Sequence, residues 1–190
     1  MFPLHRLLAF GKAWMAQWQS RRKTSHRYRQ QAAVRRLDTL SGIQGKNAGE
    51  TFARRIAYLR KLDPLVFEEL VLDGFKRKGF IVERGTRYSG DGGLDGKVFR
   101  DNRWIGIQCK RYKGTIQTAH VEQFARDLSR FGLTGGYFVH TGKTPLAVRR
   151  TAICRTNDVC KTAGLETGCH QIVMLSGRNL VDFLTNSIRP

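Results

Sequence analysis

Three polar residues between positions 95 and 110 have the types and the spacing that hydrolytic chemistry on a phosphate group would need. Gln108 and Lys110 lie two positions apart in the largely apolar segment 104–110, which predicts a β-strand. Side chains alternate between the two faces of a strand, so Gln108 and Lys110 are expected to point one way and Ile105, Ile107 and Cys109 the other, into the core. The segment therefore predicts an amide and an ammonium group held side by side on a rigid element.

Asp95 ends a glycine-rich turn around residues 88–93, just before the preceding predicted strand. Pairing of the two strands would bring its carboxylate close to Gln108. A carboxylate, an amide oxygen and the backbone carbonyl of Cys109 are hard oxygen ligands, which suit Mg²⁺, with Mn²⁺ as a substitute. Lys110 would lie beside the attacking water, where it could orient the water or help to deprotonate it and could stabilise charge on the phosphorus oxygens.

A predicted helix that begins at Pro64, with Asp63 as its N-cap, adds a fourth candidate. On a helical wheel Glu68 falls at the edge of the apolar face and is expected to border the site, whereas Glu69 is expected to face water. Each of these polar residues, taken singly, is more often a turn former or a solvated side chain. The agreement of their order, spacing and facing is what favours a site.

The charge of the chain indicates a polyanionic partner. Thirty-four Lys and Arg residues against fifteen Asp and Glu residues give a formal net charge of +19. Such a surplus favours nucleic acid first and an anionic membrane surface second, because neutralising phosphates is the commonest use of a basic domain. A basic protein without a nucleic-acid partner is the remaining interpretation.

Residues 1–60 predict a basic, mainly helical extension, and residues 61–190 a compact domain. No acidic residue precedes Asp38. Within residues 1–23 an apolar stripe at helical spacing precedes a basic run, which favours packing on the main domain or on a protein partner and leaves binding to a membrane surface open. Basic residues interrupt this stripe, so it does not predict a bilayer-spanning helix. The stripe comprises Leu4, Leu7, Leu8, Trp14, Met15 and Trp18.

From Asp63 onward the expected order is helix, three strands, helix, strand, helix, strand, helix, which predicts an α/β fold with a mixed sheet flanked by helices. The last long helix is expected to run from Pro145 to about Ala163. Four cysteines, at 109, 154, 160 and 169, do not form a dense disulfide framework, and reduced thiols in a cytoplasmic protein are expected. A zinc site built from the last three and His170 is a weaker alternative, because no Cys-x-x-Cys pair is present.

The stretch from Asp63 to Leu184 resembles the Mrr-type restriction endonuclease domain of the PD-(D/E)xK nuclease superfamily. The resemblance implies a restriction-endonuclease-like fold, with Asp95 as metal ligand, Lys110 as catalytic lysine and Glu68 as the helix glutamate. It places Gln108 where the wider superfamily often has Glu or Asp, and Gln is usual there in the Mrr-type branch. The matching pieces are Phe67-Glu68, Gly79-Phe80, the run from Gly90 to Gly96, the run from Gln108 to Tyr112, the run from Gly136 to Gly142, and Leu175-Ser176-Gly177 with Leu180.

Five residues near the carboxyl ends of two predicted strands are expected to face DNA. Arg111, Tyr112 and Lys113 follow the strand that carries Lys110, and Thr141 and Lys143 follow the next strand of the sheet. Cations and hydroxyl groups at such an edge would hold the phosphate backbone, which fixes the position of a duplex without reading its sequence.

Together these features predict a Mg²⁺-dependent deoxyribonuclease that hydrolyses phosphodiester bonds, in DNA restriction or a related process. Cleavage of both strands would need two active sites, so a homodimer is expected to be compatible with the activity. A Holliday-junction or repair nuclease on the same fold is a first alternative. A non-enzymatic DNA-binding adaptor tethered through its N-terminal helix is a second, and a basic structural protein of a nucleoprotein assembly is a third.

Overall fold

A computed structural model describes residues 27–85, 93–154 and 171–186 of the chain. Its elements are, in chain order, α1 (residues 27–42), α2 (Ala48–Leu59), α3 (Pro64–Arg77), β1 (Ile81–Arg84), β2 (Gly96–Arg100), β3 (Arg103–Lys110), α4 (Thr118–Arg130), β4 (Gly135–His140), α5 (Leu146–Cys154), β5 (Gln171–Ser176) and α6 (Gly177–Thr185).

The five strands form one mixed sheet in sequence order, β1-β2-β3-β4-β5. The first three strands are antiparallel neighbours, and β3, β4 and β5 run parallel to one another. The expected turn between β2 and β3 is confirmed at Asp101 and Asn102, whose φ angles of 51° and 58° are those of a two-residue hairpin turn. The parallel arrangement brings the carboxyl ends of β3, β4 and β5 to one edge of the sheet.

One face of the sheet is covered by α1, α2, α3 and α6. The apolar stripe expected for α3 is confirmed, because Phe67, Leu70, Val71 and Phe75 are all buried there. Asp63 caps this helix as expected. Its carboxylate accepts hydrogen bonds from the backbone N–H groups of Leu65 at 2.9 Å and Val66 at 3.3 Å. The position of Glu68 on the helix is therefore fixed by a defined start and by the packing of the buried stripe.

Helix α4 covers the other face and approaches the sheet closely. Gly106 and Gly136 lie opposite each other on β3 and β4. A Cβ atom added to Gly136 would collide with the ring of Phe124, and one added to Gly106 would collide with Leu128. The two glycines thus let the sheet accept large α4 side chains at short range, and α4 brings its N-terminal end toward the edge that carries Lys110.

Helix α1 lies beside α3 and runs in the same direction. The Arg77 guanidinium contacts the Asp38 carboxylate at 3.1 Å, and Arg29 acts electrostatically on Glu68. Residues 29 and 38 on α1 are nine positions apart, as are residues 68 and 77 on α3, a rise of about 13 Å on each helix. Helix α1 therefore begins at the end of α3 that carries Glu68.

The predicted mixed sheet with flanking helices is confirmed. The extension and the following domain share a hydrophobic core, since Ala33, Leu37 and Leu40 from α1 and Leu59 from α2 are buried with α3. The domain boundary near residue 60 stays a prediction. The apolar stripe of residues 1–23, the expected continuation of α5 to Ala163 and the zinc ligands lie wholly or partly outside the described residues. Among the helices in the described ranges, none has the length and apolar character to cross a bilayer.

Candidate active site

Asp95 lies immediately before β2 and is held there by three hydrogen bonds. Its backbone N–H donates to the Ile107 carbonyl at 2.9 Å, and its carbonyl accepts from the Gly85 N–H at 3.1 Å. Its side chain reaches further along β3, where Oδ2 accepts a hydrogen bond from the Cys109 N–H at 2.6 Å. The register pairs Gly96 with Ile107, so Asp95 lies across from Gln108, as the sequence predicted.

Glu68 supplies a second carboxylate beside Asp95. Burial, together with the carboxylates of Asp95, Glu69 and Asp63, raises the pKa of Glu68 from 4.5 to about 8, while Arg29 acts in the opposite direction. Burial also raises the pKa of Asp95, from 3.8 to about 6, against the opposing effects of the Cys109 N–H and of Lys110. Two carboxylates that are removed from water and close to each other repel when both are ionised, and a bound cation would relieve this repulsion.

Cys109 contributes its main chain rather than its thiol. The thiol is buried, and burial together with the Asp95 and Glu68 carboxylates raises the thiol pKa well above its usual value. The side chain therefore stays a protonated thiol and is a poor metal ligand or nucleophile. Since the N–H and C=O groups of one strand residue point to the same side of the strand, the Cys109 carbonyl is directed to the side on which Asp95 lies.

Gln108 is more buried than a solvated strand residue would be. Only 8% of it is exposed, and within the described residues its Oε1 atom has no hydrogen-bond partner. Leaving a buried amide oxygen unpaired costs about 1–3 kcal/mol, so this atom calls for a partner beyond the described residues, and a bound cation is one such partner. The oxygen has the chemistry of a hard metal ligand and lies opposite Asp95.

These groups fit a divalent cation, which the oxygen-rich donor set would bind through two carboxylates, an amide and a carbonyl. Within the described part of the chain, no group of three or more His, Cys, Asp and Glu side chains is arranged to hold a metal. The candidate site at Asp95 does not need such a group, because among the described residues it combines two carboxylates, Glu68 and Asp95, with two neutral ligands, Gln108 and the Cys109 carbonyl.

Lys110 ends β3 on the same edge and is half-buried. Its charge lowers the pKa of Asp95 and of His120, which places the ammonium group within electrostatic reach of both. In the parallel register Lys110 pairs with His140 on β4, so these two side chains share one face of the sheet. The expected side-by-side placement of Gln108 and Lys110 agrees with this geometry, and the face that they share is the one that α4 covers.

The sequence placed His140 at the DNA-facing end of its strand and gave no role to His120, and the structure brings both histidines beside Lys110. His140 is fully buried, its Nε2 lies 3.1 Å from the Thr144 hydroxyl, and burial lowers its pKa to about 4, so it is neutral. His120 on α4 contacts the Tyr112 ring edge-on, with ring centroids 5.7 Å apart. No signal in the sequence links position 120 to position 110, because only the packing of α4 on the sheet brings them together.

Glu69 corrects an expectation. It was expected to face water, but it is only 2% exposed and its carboxylate pairs with the Arg84 guanidinium at 2.8 Å. Strand β1 covers this side of α3, and a helical wheel drawn for α3 alone does not include that strand. Glu68 and Glu69 are therefore both removed from water, but only Glu69 has a close arginine on a neighbouring strand.

The five residues expected to face DNA fall into two groups. Lys113 and Lys143 are exposed, and Tyr112 is 39% exposed. Their two loops are joined by hydrogen bonds from the Lys143 N–H to the Gly114 carbonyl at 2.9 Å and from the Ile116 N–H to the Lys143 carbonyl at 3.0 Å. These three side chains therefore project from two loops that are hydrogen-bonded to each other, at the edge that carries Lys110.

Thr141 and Arg111 are turned inward. Thr141 is fully buried, and its hydroxyl accepts a hydrogen bond from the Tyr112 N–H at 2.9 Å and donates one to the Tyr112 carbonyl at 2.8 Å. Its side chain has no exposed surface for the DNA contact that the sequence suggested, because it joins the two loops. Arg111 is half-buried and donates to the Arg60 carbonyl at 2.9 Å.

Comparison with known proteins gives the class of this domain. A family model described as a restriction endonuclease, Mrr_cat, matches residues 59–184, about two-thirds of the chain. The chain therefore belongs to the Mrr_cat restriction endonuclease family, and its domain is a nuclease domain with DNA as its substrate. Members of this family are typically dependent on divalent metal ions. No curated protein shows significant similarity to the chain.

Proposed function

We propose that this protein is a metal-dependent endonuclease that hydrolyses phosphodiester bonds in DNA at the edge formed by Asp95 and Lys110. The observation that carries the proposal is the pair of desolvated carboxylates, Asp95 and Glu68, with the unpaired buried oxygen of Gln108 on the strand residue opposite Asp95. A site with this composition favours a cation strongly and has no evident structural use without one.

Asp95, Gln108, the Cys109 carbonyl and Glu68 would hold Mg²⁺ or Mn²⁺. When bound there, the ion would supply Lewis-acid polarisation of the scissile phosphate and an acidic water. The Cys109 N–H keeps the Asp95 carboxylate oriented by its 2.6 Å hydrogen bond to Oδ2. Burial of the carboxylates excludes bulk water and strengthens every electrostatic interaction within the site.

Lys110 would act directly on the reacting phosphate. Its ammonium group lies at the end of a rigid strand, within electrostatic reach of Asp95. From there it would stabilise the charge that develops on the phosphorus oxygens and orient the attacking water. The neutral His140 beside it adds no competing positive charge, so the field at the phosphate comes chiefly from Lys110.

Lys113, Lys143 and Tyr112 would position the DNA, and Arg111 would assist from the inner side of the same loop. Contacts of this kind neutralise phosphates and are sensitive to salt, but they do not read base sequence. We further propose a role in DNA restriction. A homodimer would cleave both strands by using one such site in each subunit.

The proposal is tested by nicking of supercoiled plasmid in the presence of Mg²⁺ or Mn²⁺. Asp95→Asn and Lys110→Ala should each lower the nicking rate by at least about 100-fold, as expected for loss of a group that stabilises the transition state. Lys76→Ala is the control, since Lys76 is an exposed lysine near the far end of α3. Linear, methylated and four-way-junction DNA tested in parallel would separate restriction from junction resolution.

Two results would refute the proposal. Wild-type protein that binds plasmid but never nicks it with either metal would support a non-enzymatic DNA-binding adaptor. Nicking that survives Asp95→Asn at the wild-type rate would place the hydrolytic activity, if the protein has one, at another site.

A further inference from the structure

Two arginines, Arg60 and Arg111, are in contact behind the end of β3, through the guanidinium of one and the main-chain carbonyl of the other. Arg60 is the C-cap of α2, and Arg111 directly follows Lys110. The Arg111 Nη1 donates to the Arg60 carbonyl at 2.9 Å, and the Arg60 Nε donates to the Thr141 carbonyl at 2.8 Å. Main-chain carbonyls thus fix both guanidinium groups on one side of the edge that carries Asp95.

Neither of these guanidinium groups forms an ion pair with a carboxylate in the described part of the chain. Two other half-buried arginines show the usual solutions. Arg84 pairs with the Glu69 carboxylate at 2.8 Å. Arg55 uses Nε, Nη1 and Nη2 on three acceptors, namely the carbonyls of residues 43 and 41 and the Thr185 hydroxyl.

Among the described residues, most of the donors of Arg60 and Arg111 have no acceptor. An arginine has five N–H groups, and each of these two uses one nitrogen in the hydrogen bonds described above. The Arg111 Nε is moreover buried and unpaired within the described residues. Two positive charges anchored on main-chain carbonyls of neighbouring segments, with unused donors, are unfavourable by themselves, and an anion that binds both would reverse this.

The position of the pair identifies the anion. Neighbouring strand residues point to opposite faces, so Lys110 and Arg111 lie on the two sides of the end of β3. Lys110 faces α4, and Arg111 faces the end of α2. A DNA strand whose scissile phosphate lay at Lys110 would carry its next phosphate past the arginine pair.

We propose that Arg60 and Arg111 form a two-guanidinium clamp for one backbone phosphate of DNA, adjacent to the scissile phosphate. This inference rests on the proposed function for its choice of DNA as the source of the phosphate. Guanidinium groups match phosphate oxygens with paired hydrogen bonds, which lysine cannot do. Arg60 thereby gives the extension, through α2, a part in binding the substrate.

The test measures binding of the full chain to a fluorescently labelled duplex by anisotropy, in EDTA and over a series of salt concentrations. Arg60→Gln and Arg111→Gln should each weaken binding by about 5- to 20-fold, for duplexes of any sequence. Each should also reduce the slope of log affinity against log salt by about 1, as expected for the loss of one phosphate contact. The double variant should lose less than the product of the two single effects, because both side chains bind one phosphate.

Two further variants separate the clamp from a loss of folding or of general charge. Arg54→Gln removes the same charge from the same helix, but Arg54 is exposed and pairs with Glu50 at 2.7 Å, so its DNA affinity should stay within about 2-fold of wild type. Arg60→Lys keeps the charge but loses the paired geometry, and should weaken binding while the salt slope stays that of wild type. Thermal unfolding of each variant in EDTA checks that the fold is retained.

Wild-type affinity and salt slope in folded Arg60→Gln and Arg111→Gln would overturn the clamp. If both glutamine variants failed to fold, unchanged affinity in Arg60→Lys would overturn it instead. Inorganic phosphate, compared with chloride at equal ionic strength, tests the other source of the anion. Stabilisation of wild type by phosphate, with unchanged DNA affinity in the variants, would reassign the pair to a free anion.

The binding experiment can refute the clamp, and the nicking experiment can refute the hydrolytic activity, each without the other. Binding is measured without metal, so a protein that shows the expected losses of affinity but never nicks plasmid would refute the hydrolytic proposal and leave the clamp standing. A protein that nicks plasmid at a rate dependent on Asp95, with full DNA affinity in both glutamine variants, would refute only the clamp.

Discussion

Two neighbouring glutamates on α3 should respond in opposite directions to the same substitution. Glu68 is held near the Asp95 carboxylate, and burial together with neighbouring carboxylates raises its pKa from 4.5 to about 8. Glu69 is 2% exposed and pairs with Arg84 at 2.8 Å. We expect Glu68→Gln to stabilise the metal-free protein and Glu69→Gln to destabilise it.

The magnitude for Glu68 follows from its pKa. Because the folded-state pKa lies above the unfolded value, the folded protein binds the proton more tightly, and stability falls as the pH rises from 4.5 to about 8. The loss is about 4 kcal/mol at a pH of roughly 7.5. Some of it belongs to the repulsion with Asp95, and a buried amide has a desolvation cost of its own, so a net gain of about 1–3 kcal/mol is expected for Glu68→Gln.

The magnitude for Glu69 follows from its ion pair. Removing its charge leaves Arg84, whose side chain is 21% exposed, without its close carboxylate. Breaking a fully buried pair costs about 3–5 kcal/mol, and the partial exposure of Arg84 reduces this to about 1–3 kcal/mol. The two substitutions are chemically identical and one position apart, so each is the control for the other.

The assay is urea unfolding of the full chain in EDTA at a pH of about 5 and again at about 7.5, where linkage predicts different stabilities. Wild type should be more stable at the lower pH, and Glu68→Gln should remove most of that difference. Equal stability of wild type at the two pH values, together with a destabilised Glu68→Gln, would show that Glu68 is not held in the unfavourable surroundings described above.

Three further outcomes are expected. Protons compete with metal for both candidate carboxylate ligands, because the pKa of Asp95 is raised to about 6 and that of Glu68 to about 8. The Mg²⁺ concentration that half-saturates nicking should therefore rise about tenfold for each pH unit from about 8 down to about 6, and about 100-fold per unit below that, and a midpoint independent of pH would contradict this. Gly136→Ala drives a methyl group into α4 and should lower the free energy of unfolding, measured in urea, by about 1–3 kcal/mol. Gly42→Ala is the control and should change it little, because a Cβ atom added at Gly42 would have no neighbour within 4 Å. Equal effects of the two substitutions would refute the close packing of α4. Thr141→Val removes both hydrogen bonds to the Tyr112 main chain and should cost about 1–3 kcal/mol by the same measurement, and an unchanged stability would show that these bonds are replaced by water.

Local periodicity was sufficient to predict most of the candidate site. The period-two pattern of residues 104–110 and the hairpin turn at Asp101 and Asn102 place Asp95 across from Gln108, and both signals act over short sequence distances. Asp63 and Pro64 fix the start of α3 and hence the rotation of Glu68 on that helix.

What the sequence did not predict depends on contacts between distant segments. Gln108 is buried because α4 covers its face of the sheet, and Glu69 is buried because β1 lies beside α3. The contact between Arg60 and Arg111 spans 51 positions, and no pattern within either segment encodes it. Burial of a polar residue is set by whichever element packs over it, and single-segment patterns do not specify that element.

The direction of α1 has a consequence for any attempt to shorten the protein. Residues 33, 37 and 40 of this helix are 0% exposed, while its first turn brings Arg29 toward Glu68. Deleting the helix would open a groove in the hydrophobic core and take away a counter-charge from the candidate metal ligands in a single step. Helix α1 is therefore not a detachable module, and a fusion joined in front of it would stand at the DNA-facing end of the molecule.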